Sequence, residues 1–207
     1  MSYIGTNKLG TMYLGDTKIA KAYLGSDLVF DSAGGGQVLP SGYSQLEYVS
    51  SSNPASIVTN VSALGSKWEL DLQDSVTTSS NQVFICSNSN GGCFAAVNSG
   101  GNFALGASNI MTSASTRTTV GIEFINKGMI MTIGGNNTQR VGTHAHDQYV
   151  SLLGYNNNYV YQGKIYGIKC VSGGSFEGVP VQRISDGVYG IYDVANDVFY
   201  SDNFTGA

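Results

Sequence analysis

The segment KWELDLQD, residues 67–74, places Glu69 and Asp71 two positions apart on what its alternation marks as a strand. Paired carboxylates on one strand are the raw material of glycoside hydrolysis. That chemistry needs a nucleophile, a helper and an acid/base, spaced Glu-x-Asp-x-Glu or Glu-x-Asp-x-x-Glu. Here the third place falls on Gln73 or Asp74. A glutamine has no catalytic proton to give, and retaining hydrolysis needs two carboxyl groups about 5–5.5 Å apart. Residues two apart on a strand share a face at about 6.5–7 Å. The expected arrangement is therefore an amphipathic strand, with Trp68, Leu70 and Leu72 inward and Glu69, Asp71 and Gln73 outward. No catalytic residue is assigned, and the chain is expected not to be an enzyme.

Two other clusters carry polar chemistry. THAHDQ offers His144, His146 and Asp147, but no third metal ligand can be placed beside them. They are read as exposed loop residues, and no metal or cofactor is expected. GYNNNYVY puts Tyr155, Asn156, Asn157, Asn158 and Tyr159 in one loop. Tyrosine rings with amide hydrogen-bond partners suit a sugar, whereas an Asn-rich run is also ordinary turn chemistry, because Asn tolerates the left-handed region. These five residues are the candidate ligand contacts. Serines are too many for their spacing to point to a Ser-His-Asp arrangement.

The three cysteines are an odd number. Cys86 and Cys93 flank SNSNGG, which reads as a turn between two strands, so they could face each other across a hairpin. The simpler reading is of reduced, buried thiols acting as small hydrophobes. Cys170, in GKIYGIKCV, is expected in the core.

These residues need a scaffold, and composition says which kind. Only 12% of the 207 residues are charged, Gly numbers 28 and Tyr 13. Ser, Thr, Asn and Gly separate short apolar runs, which suits strands and turns and not helices. The net charge of -4, without a Lys/Arg cluster, lacks the electrostatic footprint of nucleic-acid binding. No apolar run approaches the roughly 20 residues that span a bilayer. The first ten residues lack the pattern of a signal peptide, so no membrane insertion and no signal-directed secretion are expected.

Three near-copies of Tyr-[Ile/Leu]-Gly begin at Tyr3, Tyr13 and Tyr23. Each Gly is followed by small polar residues, which is turn chemistry. Residues 1–32 thus read as a small antiparallel meander, three hairpin turns joining about four strands. So short a module needs a partner to pack on: sister chains or a larger assembly, or the rest of this chain. Residues 33–42 have the composition of a Gly-rich linker. From residue 43 to 207, ten or more apolar runs separated by turns imply a two-sheet antiparallel sandwich. Turns are expected at Asn126–Gly128, at Gly134–Asn137 and at Ala195–Asp197, with a local ion pair between Arg183 and Asp186.

Two stretches carry a family resemblance. LPSGYSQLEYVSSSNPASIVTNV resembles the opening, and KIYGIKCVSGGSFEGVPVQRISDGVYGIYDVANDVFYSDNFTGA the close, of a domain common in gut bacteria and their phages. The resemblance covers about residues 39–207 and is strongest at the two ends. It implies a concanavalin A/laminin-G-like jelly roll that is lectin-like. The Tyr-Leu-Gly repeat resembles N-terminal modules of tail or capsid-fibre proteins of phages infecting Bacteroidales-type hosts. Together these imply a virion-surface protein made in the host cytoplasm. Residues 1–32 would join other virion proteins, and the jelly roll would bind host-surface polysaccharide. A homo-oligomer is expected, a trimer suiting a fibre. The alternatives are a structural decoration protein without a ligand, and a glycan-cleaving jelly-roll enzyme.

Overall fold

The computed structural model describes residues 2–4, 7–9, 12–14, 17–19, 21–24, 27–31, 39–51, 56–74, 81–87, 94–106, 109–141, 148–154, 159–201 and 204–206. Tyr155 to Asn158, His144, His146, Asp147 and Cys93 lie outside these residues. The described residues contain strands and turns and no helix. The chain divides into two compact units, residues 1–43 and 44–207.

In the first unit, the repeat forms three separate two-stranded antiparallel ribbons. Ser2–Ile4 pairs with Asn7–Leu9, Met12–Leu14 with Thr17–Ile19, and Lys21–Leu24 with Asp27–Asp31. The first two copies share one register, Tyr3 facing Lys8 and Tyr13 facing Lys18, and in the third Tyr23 faces Leu28 beside a register shift between Ala22 and Tyr23. The three hairpins are where the Gly-polar signals put them. The strand count differs from the expected four, because KLGTMYL and KIAKAYL each contribute to two ribbons and not to one continuous strand. Their alternation is only partial, so it carries no single period across the seven residues.

The second unit is a two-sheet antiparallel jelly-roll sandwich. Its larger sheet runs in the order Asn136–Val141, Gly128–Ile133, Thr118–Ile125, Lys67–Gln73, Lys164–Ser172, Glu177–Arg183, Tyr189–Asp193, Val198–Tyr200. Val49–Ser51 and Phe204–Gly206 extend it beside Lys164–Ser172. The smaller sheet runs Asn109–Ser113, Asn102–Leu105, Phe94–Val97, Gln82–Ser87, Tyr149–Leu152, Ile57–Ser62. The chain passes from sheet to sheet at Ile57–Ser62 to Lys67–Gln73, again to Gln82–Ser87, and again on reaching Thr118–Ile125, Tyr149–Leu152 and Lys164–Ser172. Such crossings wrap one core between two sheets.

Strand periodicity decides which side chains fill that core. Trp68, Leu70 and Leu72 point inward and are buried, and so are Val120, Ile122 and Phe124 on the neighbouring strand. Phe84, Phe103, Val150 and Leu152 face them from the smaller sheet. Trp68 lies 5.6 Å from Phe176, ring centre to ring centre, and Phe84 sits edge-on to Phe103 at 5.9 Å. The Trp68 indole N–H donates to Ser66 Oγ at 3.0 Å, and Ser66 Oγ–H donates to the Ala63 carbonyl at 2.8 Å. A buried Trp N–H thus has its partner.

The turns fall within the segments the sequence marks and are tighter, Gly128, Asn136 and Asn137 being paired in strands. Ile125 pairs with Gly128 and Ile133 with Asn136, leaving two residues at each tip. Gly134 and Gly135 both have positive φ, 56° and 81°, the backbone that a two-residue hairpin with the sheet's own twist demands. The last hairpin joins Tyr189–Asp193 to Val198–Tyr200 across Ala195–Asp197, with Asp197 at φ 61°. Arg183 and Asp186 form the expected ion pair at 2.7 Å.

Candidate functional site

The outward face of the larger sheet is built from the positions that alternate with the core. On Lys67–Gln73 these are Lys67, Glu69, Asp71 and Gln73, as the alternation predicts. Their cross-strand neighbours are set by register. Gly121 stands opposite Glu69 on one side, and Gly167 stands opposite Asp71 on the other. Both positions carry no side chain, so the backbone next to the two carboxylates is left uncovered.

A register shift between Asp71 and Leu72 makes Tyr166 an extra residue on its strand. Bulges re-aim side chains in this way. The Tyr166 hydroxyl donates to Gln73 Oε1 at 2.7 Å, while Gln73 Nε2 donates to the Ser115 carbonyl at 2.9 Å. Arg117 completes the arrangement. Its Nη2 donates to Asp71 Oδ2 at 2.6 Å, and its Nε lies 3.1 and 3.0 Å from the two Asp71 oxygens. The guanidinium carbon is 4.0 Å from the Tyr166 ring centre. The hydrogen bond to Asp71, against a smaller opposing effect of burial, raises the Arg117 pKa above its already high ordinary value.

The cluster continues to one end of the sheet. Tyr48 tilts against Tyr166 at 5.6 Å, and Lys164 Nζ lies 4.1 Å over the Tyr48 ring. Tyr48, Tyr166, Lys164, Asp71 and Gln73 are half-buried, and Arg117 is exposed. Two tyrosine rings thus stand among an amide, a carboxylate and two cations, all fixed by mutual contacts. Further along the face, the pairs Lys67–Glu123 at 3.2 Å and Lys169–Glu177 at 3.9 Å flank Glu69.

The arrangement does not reproduce the carboxylate set of a glycosidase. Gln73, in the place of a glycosidase's third carboxylate, has both ends of its amide engaged. Both Asp71 oxygens are committed to Arg117. Asp74 is turned inward and buried, on the opposite face from Glu69. Among the described residues, no three His, Cys, Asp or Glu side chains converge as metal ligands.

Of the five loop residues singled out in the sequence, Tyr159 is described. It is exposed, has φ 57°, and its carbonyl accepts the Val83 N–H at 2.8 Å. Val160 bridges to Val83. That end of the loop is moored to the smaller sheet, and five residues later Lys164 opens its strand in the larger one. Tyr161 between them is fully buried, edge-on to Phe84 at 6.1 Å, and burial pushes its phenol pKa up. Tyr155, Asn156, Asn157 and Asn158 lie outside the described residues. Sequence reading missed Tyr48, Tyr166, Arg117 and Lys164 as a group. Tyr48 and Tyr166 lie within LEYV and KIYG, two of the quoted motif stretches. Arg117 sits 46 positions from Asp71 and carries no local signal.

The two described thiols lie in the core region. Cys86 is free and buried, Cys170 likewise. Burial pushes the Cys86 pKa from 9.0 to about 12. Cys86 pairs across the ladder with Phe94, and its Sγ–H points to the Gly154 carbonyl at 3.7 Å.

No protein-family model matches the chain, and no curated protein matches it. Among solved structures, the Caenorhabditis elegans galectin LEC-6 is similar at a TM-score of 0.35 and 11% identity, covering 62% of this chain and 97% of that one.

Proposed function

We propose that this chain is a non-enzymatic virion-surface protein whose jelly roll binds host-surface glycan and whose residues 1–32 attach it to the particle. The observation that carries the binding half is the Arg117–Asp71–Tyr166 cluster with Tyr48, Gln73 and Lys164 on the solvent face of the larger sheet. A sugar presents apolar C–H faces and paired hydroxyls. Tyrosine ring faces take the first, and fixed carboxylate, amide and guanidinium groups take the second. Such convergent polar groups beside aromatic surface are the usual make-up of a small-ligand site.

The attachment half rests on the repeat. Each ribbon pairs internally, with strands of three to five residues. An isolated two-stranded hairpin is marginal in water. A row of three such hairpins therefore suits a segment that orders against other chains.

Glycan-array and host-cell binding by the full chain tests the reading. Binding that Arg117→Ala and Tyr166→Ala each reduce at least tenfold, with circular dichroism unchanged, supports it. Absence of binding to every glycan and every susceptible cell overturns the ligand reading and leaves a decoration protein. Deleting residues 1–32 is expected to abolish incorporation into particles while glycan binding persists. Finding the chain missing from purified particles by mass spectrometry would overturn the virion assignment.

A further inference from the structure

Gly121 is a glycine inside a strand that packing does not explain. Glycine weakens a strand, and inside one it marks a bulge, a crowded contact or a place where a ligand or another backbone comes close. The ladders on both sides of Gly121 run without a shift, pairing it with Glu69 and with Thr132. Its φ is not positive. A Cβ there would have Thr132 Cβ as its nearest neighbour, at 3.4 Å, which is ordinary contact. Other strand glycines have local reasons. At Gly178 a Cβ would lie 2.7 Å from Ile191 Cγ2, at Gly190 it would meet the Tyr200 carbonyl oxygen, and Gly167 stands beside the register shift at Asp71 and Leu72. What remains for Gly121 is an approach from the solvent side, since Val120 and Ile122 next to it are buried in the core.

The register sets Gly121 in a row of outward positions. Asn137 stands opposite Thr132, Thr132 opposite Gly121, and Gly121 opposite Glu69. Thr132 Oγ1–H donates to Asn137 Oδ1 at 2.7 Å, which orients that amide and leaves its NH2 group for another acceptor. Glu69 is exposed, and the lysines flanking it, Lys67 and Lys169, are paired with Glu123 and Glu177. A carboxylate acceptor and an amide donor thus stand on either side of bare backbone. Strands lie about 4.8 Å apart, so three steps from Asn137 to Glu69 cover about 14 Å. The next outward row holds Thr119, Asp71 and Gly167, about 6.5–7 Å away along the strand. Gly121 therefore borders the Arg117–Asp71–Tyr166 cluster on the same face.

We propose that the glycan bound at this cluster is an extended neutral chain. Units beyond the one against Tyr166 run across the sheet over Gly121, between Glu69 and the Thr132–Asn137 pair. The inference rests on the glycan reading and adds the class of glycan. The row from Asn137 to Glu69 is longer than one sugar ring, so it serves consecutive units and not a single terminal one. Any side chain at position 121 would stand between the chain and the backbone. Glu69 sets the charge, because a uronate or sulfate group over Gly121 would meet a carboxylate without a lysine of its own.

The test is the affinity of the full chain for ladders of gluco-, manno-, galacto- and xylo-oligosaccharides of two to six units, by calorimetry. In the ladder that binds, the six-unit probe is expected to bind at least about tenfold more tightly than the two-unit probe. Gly121→Val, a residue suited to a strand, is expected to bring the six-unit probe to within about threefold of the two-unit one, with thermal unfolding unchanged. Gly121→Ala, which adds a single methyl group, is expected to remove part of the gain and serves if the valine variant does not fold. Arg117→Ala is expected to weaken both lengths. Equal affinity for two and six units, a length gain that survives intact in whichever Gly121 variant folds, or tighter binding of oligogalacturonate than of every neutral ladder would each overturn this inference and leave the glycan reading standing. No binding of any probe would overturn both.

Discussion

Arg117 holds both oxygens of Asp71 although 46 positions separate the two residues. The same guanidinium lies against the Tyr166 ring. An exposed ion pair stabilises a fold by only about 0.2–1 kcal/mol, so this geometry is poorly explained as a stability device. It orders a charged plane next to an aromatic one on an open sheet face.

Arg117→Lys is therefore expected to separate binding from stability. Lysine keeps the charge and loses the planar fork that both Asp71 oxygens require. Chemical denaturation should change by less than about 1 kcal/mol, while glycan affinity by calorimetry should fall at least tenfold. Equal affinity in the two proteins would remove Arg117 from the site.

How much of this was legible depends on distance along the chain. The strand 67–73 revealed its inward and outward faces, because a period of two needs only neighbours. The turns at Lys127, Gly134–Gly135 and Asp197 were legible from turn residues. Tyr166 was not, since its aim depends on a register shift that only the pairing with Asp71 and Leu72 creates. Nor was Arg117, whose partner is chosen by the sheet order. The repeat was legible in its three hairpins and not in its strand count, because a partial alternation does not say where one ribbon stops.

Asp193 supports the closing hairpin from inside. It is buried, and its Oδ1 accepts the N–H of Glu177 at 3.0 Å and of Ala195 at 3.1 Å. Its Oδ2 accepts Asn196 Nδ2 at 2.6 Å. Asp193→Ala removes the acceptor from three donors at once. Glu177 is half-buried, whereas Ala195 and Asn196 are exposed and Asn196 Nδ2 also donates to the Ser175 carbonyl at 2.7 Å, so water or a second acceptor serves two of the three donors. A loss of about 1–2 kcal/mol in urea denaturation is expected, chiefly from the Glu177 N–H, and no measurable loss would show that water replaces the acceptor there as well.

Alkaline pH should weaken the fold through Cys86. Its folded pKa, about 12, lies above the ordinary 9.0. Below pH 9 the thiol is neutral in both states and the full stability is present. Above it the unfolded chain loses the proton first, so stability falls as pH rises from about 9 to about 12. One such group accounts for at most about 1.4 kcal/mol per pH unit. Tyr161, whose pKa burial also raises, adds to the loss in the same direction. Denaturation of wild type and Cys86→Ala at pH 8, 9, 10 and 11 checks this: the variant should start lower and fall less steeply. Parallel slopes would mean that Cys86 does not titrate on unfolding.

Two glycines make opposite predictions from the space around them. A Cβ at Gly190 would meet the Tyr200 carbonyl oxygen and lie 2.6 Å from the Phe199 ring. The carbonyl belongs to the paired strand, Ile191 facing Tyr200, so it cannot swing aside as a side-chain tip could. Gly190→Ala must push two paired strands apart, at a cost of about 3 kcal/mol, the upper part of the range for overpacking. At Gly167 a Cβ would meet only the Gly178 carbonyl oxygen, at 3.9 Å, which is ordinary contact. Gly167→Ala should leave stability within about 1 kcal/mol of wild type, since alanine also costs less chain entropy than glycine on folding. Its methyl group would nevertheless stand beside Asp71 on the uncovered face. Unchanged thermal unfolding with weakened glycan binding in Gly167→Ala is thus the outcome expected if the ligand lies over Asp71. Full binding by Gly167→Ala would move the ligand away from that strand.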